Sequence, residues 1–138
     1  MNVAQLHVKN FRNLEETTVE PCAGINIFYG DNAQGKTNLL EAFWLCSGAR
    51  SFRGSSNGDF IRFGEKRAKI EMKFVCHHRA QTLLLKYGDR KGVFLNSVEK
   101  NSASELSEEV FAVVFAPNHL RLVKDGPQER RSFMDFAL

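Results

Sequence analysis

The run Gly30-Asp31-Asn32-Ala33-Gln34-Gly35-Lys36-Thr37 constrains this chain more than any other part of it. It matches the phosphate-binding pattern G-x-x-x-x-G-K-[ST], which functions between a buried strand and the start of a helix. The short apolar run at residues 25–29 predicts that strand. Residues 36–47, apolar almost all round and followed by Gly48, predict a buried helix.

Each residue type in this loop has a chemical role in phosphate binding. Gly30 and Gly35 allow a tight turn and a close approach of the backbone to phosphate oxygens. The N–H groups from about Asn32 to Thr37 are expected to point inward and to join the positive end of the helix dipole. Lys36 would reach the β and γ phosphates, and the Thr37 hydroxyl would bind Mg²⁺. We therefore predict a site for Mg-ATP or ADP; the alternative is a Gly-rich helix entry with a surface lysine.

The loop predicts nucleotide binding but not hydrolysis. Hydrolysis also needs a strand-end carboxylate for the metal shell and a group that orients water. No apolar strand after residue 37 ends in Asp, and the one predicted at residues 110–115 ends in Ala116-Pro117. We assign no catalytic residue, and we expect the chain alone to bind nucleotide without hydrolysing it.

The rest of the chain predicts one α/β lobe over residues 1–138. Strict alternation from Arg67 to Cys76 is typical of a half-buried antiparallel strand, the first of a side sheet. The other expected elements are a hairpin over residues 3–9 and 14–20, strands at 82–87, 93–96 and 110–115, a loop at 50–58, a polar helix at 102–109, and a last helix from Pro127.

Composition limits the cellular compartment and the kinds of metal or disulfide site that this chain can have. No apolar run approaches the roughly 20 residues that cross a bilayer, and no signal-peptide core is found, so we expect a cytoplasmic protein without a membrane partner. Three cysteines without ligand spacing read as small buried apolar residues. His77 and His78, interpreted as neighbours on a strand, would face opposite sides and could not share a metal; all four histidines are interpreted as surface residues.

One face of the alternating strand is basic. Arg67, Lys69 and Lys73 recur there at steps of roughly 7 Å, which resembles the spacing of phosphates along a DNA strand. A net charge of +3 permits contact with nucleic acid. This stripe is a candidate DNA surface, which Arg79 and Lys86 on the adjoining strand would widen. A solvated strand face, interrupted by Glu71, is the alternative.

Several motifs occur together in a fixed order. They are Leu6-x-x-x-Asn10-Phe11-Arg12-Asn13, the loop continued by Asn38-Leu39-Leu40-Glu41-Ala42, Gly48-Ala49-Arg50-Ser51-Phe52-Arg53, and Phe115-Ala116-Pro117 … Gly126-Pro127-x-x-Arg130-Arg131-x-Phe133-x-Asp135. As a set they resemble the N-terminal ATPase lobe of the RecF family, which is related to SMC and ABC-type ATPase heads. The resemblance implies a P-loop lobe with a central mixed sheet around the P-loop helix and an antiparallel side sheet.

The resemblance also implies roles for individual residues. Arg12, Asn13 and Asn38 would lie near the nucleotide, although a hairpin turn with one exposed arginine is the alternative for the first two. Asp59 would lie near the base. Arg50 and Arg53 would link DNA or a partner head to the nucleotide, or else form a solvated basic loop.

Two features depart from the family pattern. Pro117-Asn118-His119-Leu120 stands where the family usually reads Pro-Glu-Asp-Leu, and no glutamine lies near Ala116 to contact a metal. The family's ABC signature and Walker B carboxylates would lie in a second lobe beyond Leu138, so we expect a fragment.

The intact protein would bind ATP and Mg²⁺, close as a homodimer on DNA, and help load recombinase at gaps through RecR, while this fragment would be monomeric. Two other functions remain open: a protein-interaction module that binds no nucleotide, and a small-molecule P-loop kinase.

Overall fold

One six-stranded antiparallel sheet dominates the fold of this computed structural model, which describes residues 1–53, 57–115, 127 and 131. Its strand order is β2-β1-β3-β4-β5-β6. The elements are β1 (Asn2–Phe11), β2 (Leu14–Val19), α1 (Lys36–Leu45), a 3-10 turn (Asn57–Phe60), β3 (Ala68–Cys76), β4 (Arg79–Tyr87), β5 (Gly92–Leu95), β6 (Val98–Lys100) and a second 3-10 segment (Ala103–Glu108). None of the helices formed by these residues is both long and apolar enough to cross a membrane.

Period-two alternation sets the register of the sheet. Inward positions of β3 such as Ile70 and Met72 are buried, and they lie opposite Leu85 and Leu83 of β4. A one-residue slip would move every apolar side chain to the wrong face. The predicted opening hairpin and the strands of the side sheet are therefore confirmed.

Helix α1 covers the apolar face of the sheet. Leu39, Ala42 and Leu45 belong to the same core as the inward residues of β1, β3 and β4. The helix ends at Leu45, two residues before the predicted end, and residues 46–48 form a turn. Gly48 closes this turn with a left-handed φ of 80°, and a Cβ there would lie 2.0 Å from the carbonyl oxygen of Ala103. Glycine is thus required at this close approach.

Two predicted strands are wrong. Residues 25–29 and 110–115 are not strands, and no strand of the described chain pairs with them. Ile25, Tyr29 and Val113 are 87%, 91% and 99% exposed. A strand exists only through its neighbours' hydrogen bonds, so the central sheet expected around α1 is not formed by the described residues.

Other predictions need smaller corrections. His77 and His78 are not on a strand; with φ of 48° and 61° they form the two-residue turn that joins β3 to β4, and both are exposed. Cys22 is exposed, whereas Cys46 and Cys76 are buried as predicted. Burial raises the pKa of the Cys46 thiol far above its usual range.

The helix of residues 102–109 is a 3-10 segment, and β6 was not predicted. Residues 116–126, with Asn118 and His119, lie outside the described residues, as does most of the helix predicted from Pro127.

Candidate functional site

The predicted phosphate-binding run forms a turn that leads directly into α1. Gly35 is the N-terminal cap of the helix, with a left-handed φ of 95°, and the first turn contains no acidic residue. The positive end of the helix dipole therefore faces the loop without a competing carboxylate. Gly30 and Ala33 also have positive φ, 140° and 64°, so the loop alternates hand as an anion-binding nest requires.

The Lys36 side chain folds back across this loop. Its Nζ donates to the carbonyl oxygens of Gly30, at 2.8 Å, and of Asp31. Thr37 is exposed in the first turn of α1. An ammonium, a hydroxyl and a helix N-terminus thus converge at one place, which is the donor set that a polyphosphate with its metal uses.

The turn between β1 and β2 supports the loop from the side. Asn13 donates through Nδ2 to the carbonyl oxygen of Ala33 at 2.8 Å, and its Oδ1 accepts from Asn38 Nδ2 at 2.7 Å. A Cβ on Gly35 would lie 2.8 Å from the same Oδ1 and 2.6 Å from Leu14. The predicted residues Asn13 and Asn38 are therefore brought to the loop as its scaffold.

Arg12 lies in the same turn but points elsewhere. Its Nε and Nη2 donate to the two carboxylate oxygens of Glu41, at 2.9 and 2.8 Å. The Arg12 side chain is 14% exposed and that of Glu41 is 0% exposed. Arg12 also donates to the carbonyl oxygen of Asp59 at 3.2 Å and lies 5.2 Å from the Phe60 ring centroid. The structure thus places this predicted site residue in a buried ion pair with α1.

Glu41 also organises the segment that follows α1. Ser51 Oγ donates to its Oε1 at 2.5 Å, and Arg53 Nη1 lies 3.9 Å from its Oε2. Arg53 donates to Asn38 Oδ1 at 2.8 Å, so its guanidinium lies beside the first turn of α1. Arg50 is exposed, and its carbonyl oxygen accepts from the Trp44 indole at 2.7 Å.

Glu41 and Ser51 were missed as site residues. The available signal was a single acidic residue in an otherwise apolar stretch of helix, because a carboxylate buried there needs cationic partners. Asp59 has an exposed side chain at the end of the 3-10 turn, and its backbone is what contacts Arg12. No group of three or more potential metal ligands occurs among the described residues.

The basic strand residues form a separate surface. Lys69 and Lys73 lie on the outer face of the sheet, opposite to the face that packs on α1, and the exposed Arg67 immediately precedes β3. Lys69 Nζ lies 2.6 Å from Glu71 Oε2. The hydrogen bond from Lys69, with the charges of Lys69, Lys73 and His7, lowers the pKa of the Glu71 carboxyl despite its partial burial.

Comparison with known families and structures agrees with this geometry. The profile of the AAA domain family matches residues 5–118. A "DNA replication and repair protein RecF" from Thermoanaerobacter sp. (strain X514) is 41% identical over 100% of this chain and 39% of its own length. The corresponding protein of Lachnospira eligens is 39% identical, again over 100% of this chain and 39% of its own length. The chain thus spans about 39% of the length of these curated relatives.

Solved structures also show a likeness to RecF. The structure of the recombination mediator protein RecF-ATP in the RecFOR pathway superposes with a TM-score of 0.87 at 34% identity, covering 96% of this chain and 38% of that one. The SMC head domain from Thermotoga maritima matches at a TM-score of 0.58 and 16% identity, over 78% of this chain and 41% of that one. This second likeness concerns the fold alone. The fold is the P-loop ATPase lobe of ABC and SMC heads, as predicted.

Proposed function

Because this chain belongs to the AAA domain family and is similar to RecF over its full length, we propose that it binds Mg-ATP at residues 30–37. Lys36 contacts the β and γ phosphates, the backbone N–H groups of the loop surround them, and Thr37 binds Mg²⁺. Asn13 and Asn38 hold the loop in shape. The observation that carries this proposal is the left-handed Gly35 turn that opens onto a helix N-terminus free of acidic residues.

The test is calorimetric titration of the chain with Mg-ATP, compared between the wild type and Lys36→Ala. Loss of a charge-assisted contact with phosphate should weaken binding by about 1.5–3 kcal/mol. Lys66→Ala is the matched control, since it removes one exposed lysine outside the loop. Equal affinity in all three proteins would remove the assignment of the site.

Hydrolysis requires groups that this sequence does not contain at a strand end. We infer that the chain alone turns over ATP negligibly, since no apolar strand predicted after residue 37 ends in Asp. Phosphate release by the purified chain is the measurement. Sustained release that Lys36→Ala abolishes would contradict this inference and would exclude a contaminant as its source.

The wider function follows from the names of the relatives. Proteins called DNA replication and repair protein RecF, and a recombination mediator of the RecFOR pathway, match this chain. We propose that the protein binds DNA and acts in the cytoplasm with RecR to load recombinase at gaps. ATP would close two copies as a homodimer, with each nucleotide held between them. Arg53 supports a link between nucleotide and partner, because it lies at the first turn of α1.

Of the two other functions, the small-molecule kinase is disfavoured. Such enzymes continue from the loop into parallel strands, whereas every strand pair of the described sheet is antiparallel. An interaction module without nucleotide predicts no heat on titration with Mg-ATP, so the experiment above separates it from the proposed function.

A further inference from the structure

A basic concavity lies at one end of the sheet, and none of the residues of the phosphate-binding loop lines it. It encloses about 580 Å³ near the end of β1, the start of β3 and the end of β4. Its charged lining consists of Lys9, Arg67, Lys69, Lys86, Arg90 and Asp89. A concave surface lined by one sign of charge concentrates the electric field and attracts counter-ions more strongly than a flat surface.

Three of these lysines form a row across the sheet. Lys9 of β1 is directly opposite Lys69 of β3, which is directly opposite Lys86 of β4. Neighbouring strands are about 4.8 Å apart, so the three backbone positions lie within about 10 Å. Like charges directly opposite each other destabilise a sheet. The row therefore lowers stability to the extent that neither carboxylates of the protein nor a bound anion offset its charge.

Carboxylates of the protein neutralise only part of the positive charge of this concavity. Lys9 lies 3.3 Å from Glu16 and Lys69 lies 2.6 Å from Glu71. Lys86 lies 4.5 Å from the ring centroid of Phe94, a contact that leaves its charge in place. Together with Asp89, three carboxylates face five cations, which leaves an excess of two positive charges.

We propose that this concavity binds the sugar–phosphate backbone of DNA, with Lys9, Lys69 and Lys86 as its phosphate contacts. The proposal rests on the proposed function for its partner, since the similar proteins are DNA replication and repair proteins. Lysine binds phosphate as a point charge, and backbone contacts carry no sequence information. The surface runs across strands, unlike the stripe along β3 predicted from sequence, which Lys86 was expected only to widen. It adds Lys9, makes Lys86 a central contact and excludes Lys73.

The experiment is fluorescence anisotropy of the full chain with a labelled duplex of about 20 base pairs, beginning at about 50 mM salt and repeated as salt rises. Lys86→Gln and Lys73→Gln form a matched pair: each removes one exposed lysine from the same face of neighbouring strands. Lys86→Gln should lower affinity and reduce the log–log salt slope by about one. Lys73→Gln should leave both unchanged.

Two further variants sharpen the test. Removing all three lysines of the row as Gln should reduce the slope by about three. Glu71→Gln should raise affinity, because it frees Lys69 from its carboxylate partner. Thermal melting of each variant checks that the chain is folded.

Three outcomes would overturn the proposal. Equal losses for Lys73→Gln and Lys86→Gln would favour the stripe along β3, and competition by polyglutamate as effective as by DNA would indicate an acidic protein partner. Absence of duplex binding by the wild-type chain at low salt would also overturn it. The nucleotide site is judged separately, by Mg-ATP titration of the same sample.

Discussion

Two ion pairs lie on opposite faces of the sheet and differ in their access to water. On the α1 side, the carboxylate of Glu41 is fully buried and contacts Arg12, Ser51 and Arg53. On the outer side, the side chains of Lys69 and Glu71 are 40% and 25% exposed. Charge on the buried side fixes the positions of the segments around the phosphate-binding loop. Charge on the open side contributes little to the fold and remains available to a partner.

The largest effect expected from this difference is at Glu41. Replacing Glu41 with Ala leaves the Arg12 guanidinium nearly buried without its carboxylate, which should lower the free energy of unfolding by about 3–5 kcal/mol. Glu71→Ala is the control and should cost less than about 1 kcal/mol. Urea denaturation followed by circular dichroism measures both. Similar losses in the two variants would show that burial does not distinguish these pairs.

The apolar side of the same sheet gives the next effect. Leu83 of β4 is fully buried and faces Met72 and Leu95, so Leu83→Ala should destabilise the chain by about 2–5 kcal/mol. Its neighbour Leu84 faces the outer side, opposite Glu71. Leu84→Ala should therefore give a clearly smaller loss in the same denaturation experiment. Equal losses in the free energy of unfolding for Leu83→Ala and Leu84→Ala would contradict the assignment of the two faces.

A third change acts on the loop itself. Gly35→Ala would place a Cβ 2.6 Å from Leu14 and 2.8 Å from Asn13 at a left-handed φ. We expect a loss of about 1–3 kcal/mol in stability and weaker Mg-ATP binding, because the loop must shift. Gly30→Ala strains the backbone at φ 140° but meets no atom within 4 Å, so its effect should be smaller. Denaturation measures the change in stability, and calorimetric titration measures the change in Mg-ATP affinity. Equal losses in Gly35→Ala and Gly30→Ala would show that the contact with Asn13 has no effect.

The smallest effect concerns pH. The pKa of Glu71 is lowered in the folded chain, chiefly by the hydrogen bond from Lys69. A lowered pKa stabilises the fold above the carboxyl's unfolded pKa, and that contribution is lost as pH falls through the folded value. Wild type should therefore exceed Glu71→Gln in melting temperature at pH 7 by an amount worth less than about 1 kcal/mol, and the difference should vanish in acid. A difference in melting temperature that does not change with pH would show that the Glu71 charge is not the source of the stabilisation.

The sheet could be predicted from sequence because its signal is local. Alternation along β3 decides which face is buried, and the turn at residues 88–91 joins β4 to β5. The tight turn at His77 and His78 was missed because left-handed turns usually carry Asn or Gly, and this one carries neither. The turn at Asn96 and Ser97, with φ of 50° and 68°, has the same geometry and introduces the unpredicted β6.

The site was predictable only in part. The motif located the loop and its helix, since its geometry depends on consecutive residues. The pairing of Arg12 with Glu41 joins residues 29 positions apart and depends on how α1 packs on the sheet, which periodicity does not report. The apolar runs at residues 25–29 and 110–115 were read as strands from composition, but composition does not supply the neighbouring strand.

The strand order has a consequence for folding kinetics. Four of the five strand pairs join elements adjacent in sequence, whereas β1 and β3 are separated by β2, α1 and the whole phosphate-binding loop. Bringing β1 and β3 together closes a long loop, which costs conformational entropy before any contact between the two strands forms. Pairing of Val8 with Ile70 should therefore be the slow step of folding. We expect the meander β3–β6 to form early, and α1 and the loop to pack on the sheet only after β1 has joined β3. The ability to bind nucleotide is then acquired last, and recovery of that binding during refolding should lag behind recovery of β-sheet circular dichroism.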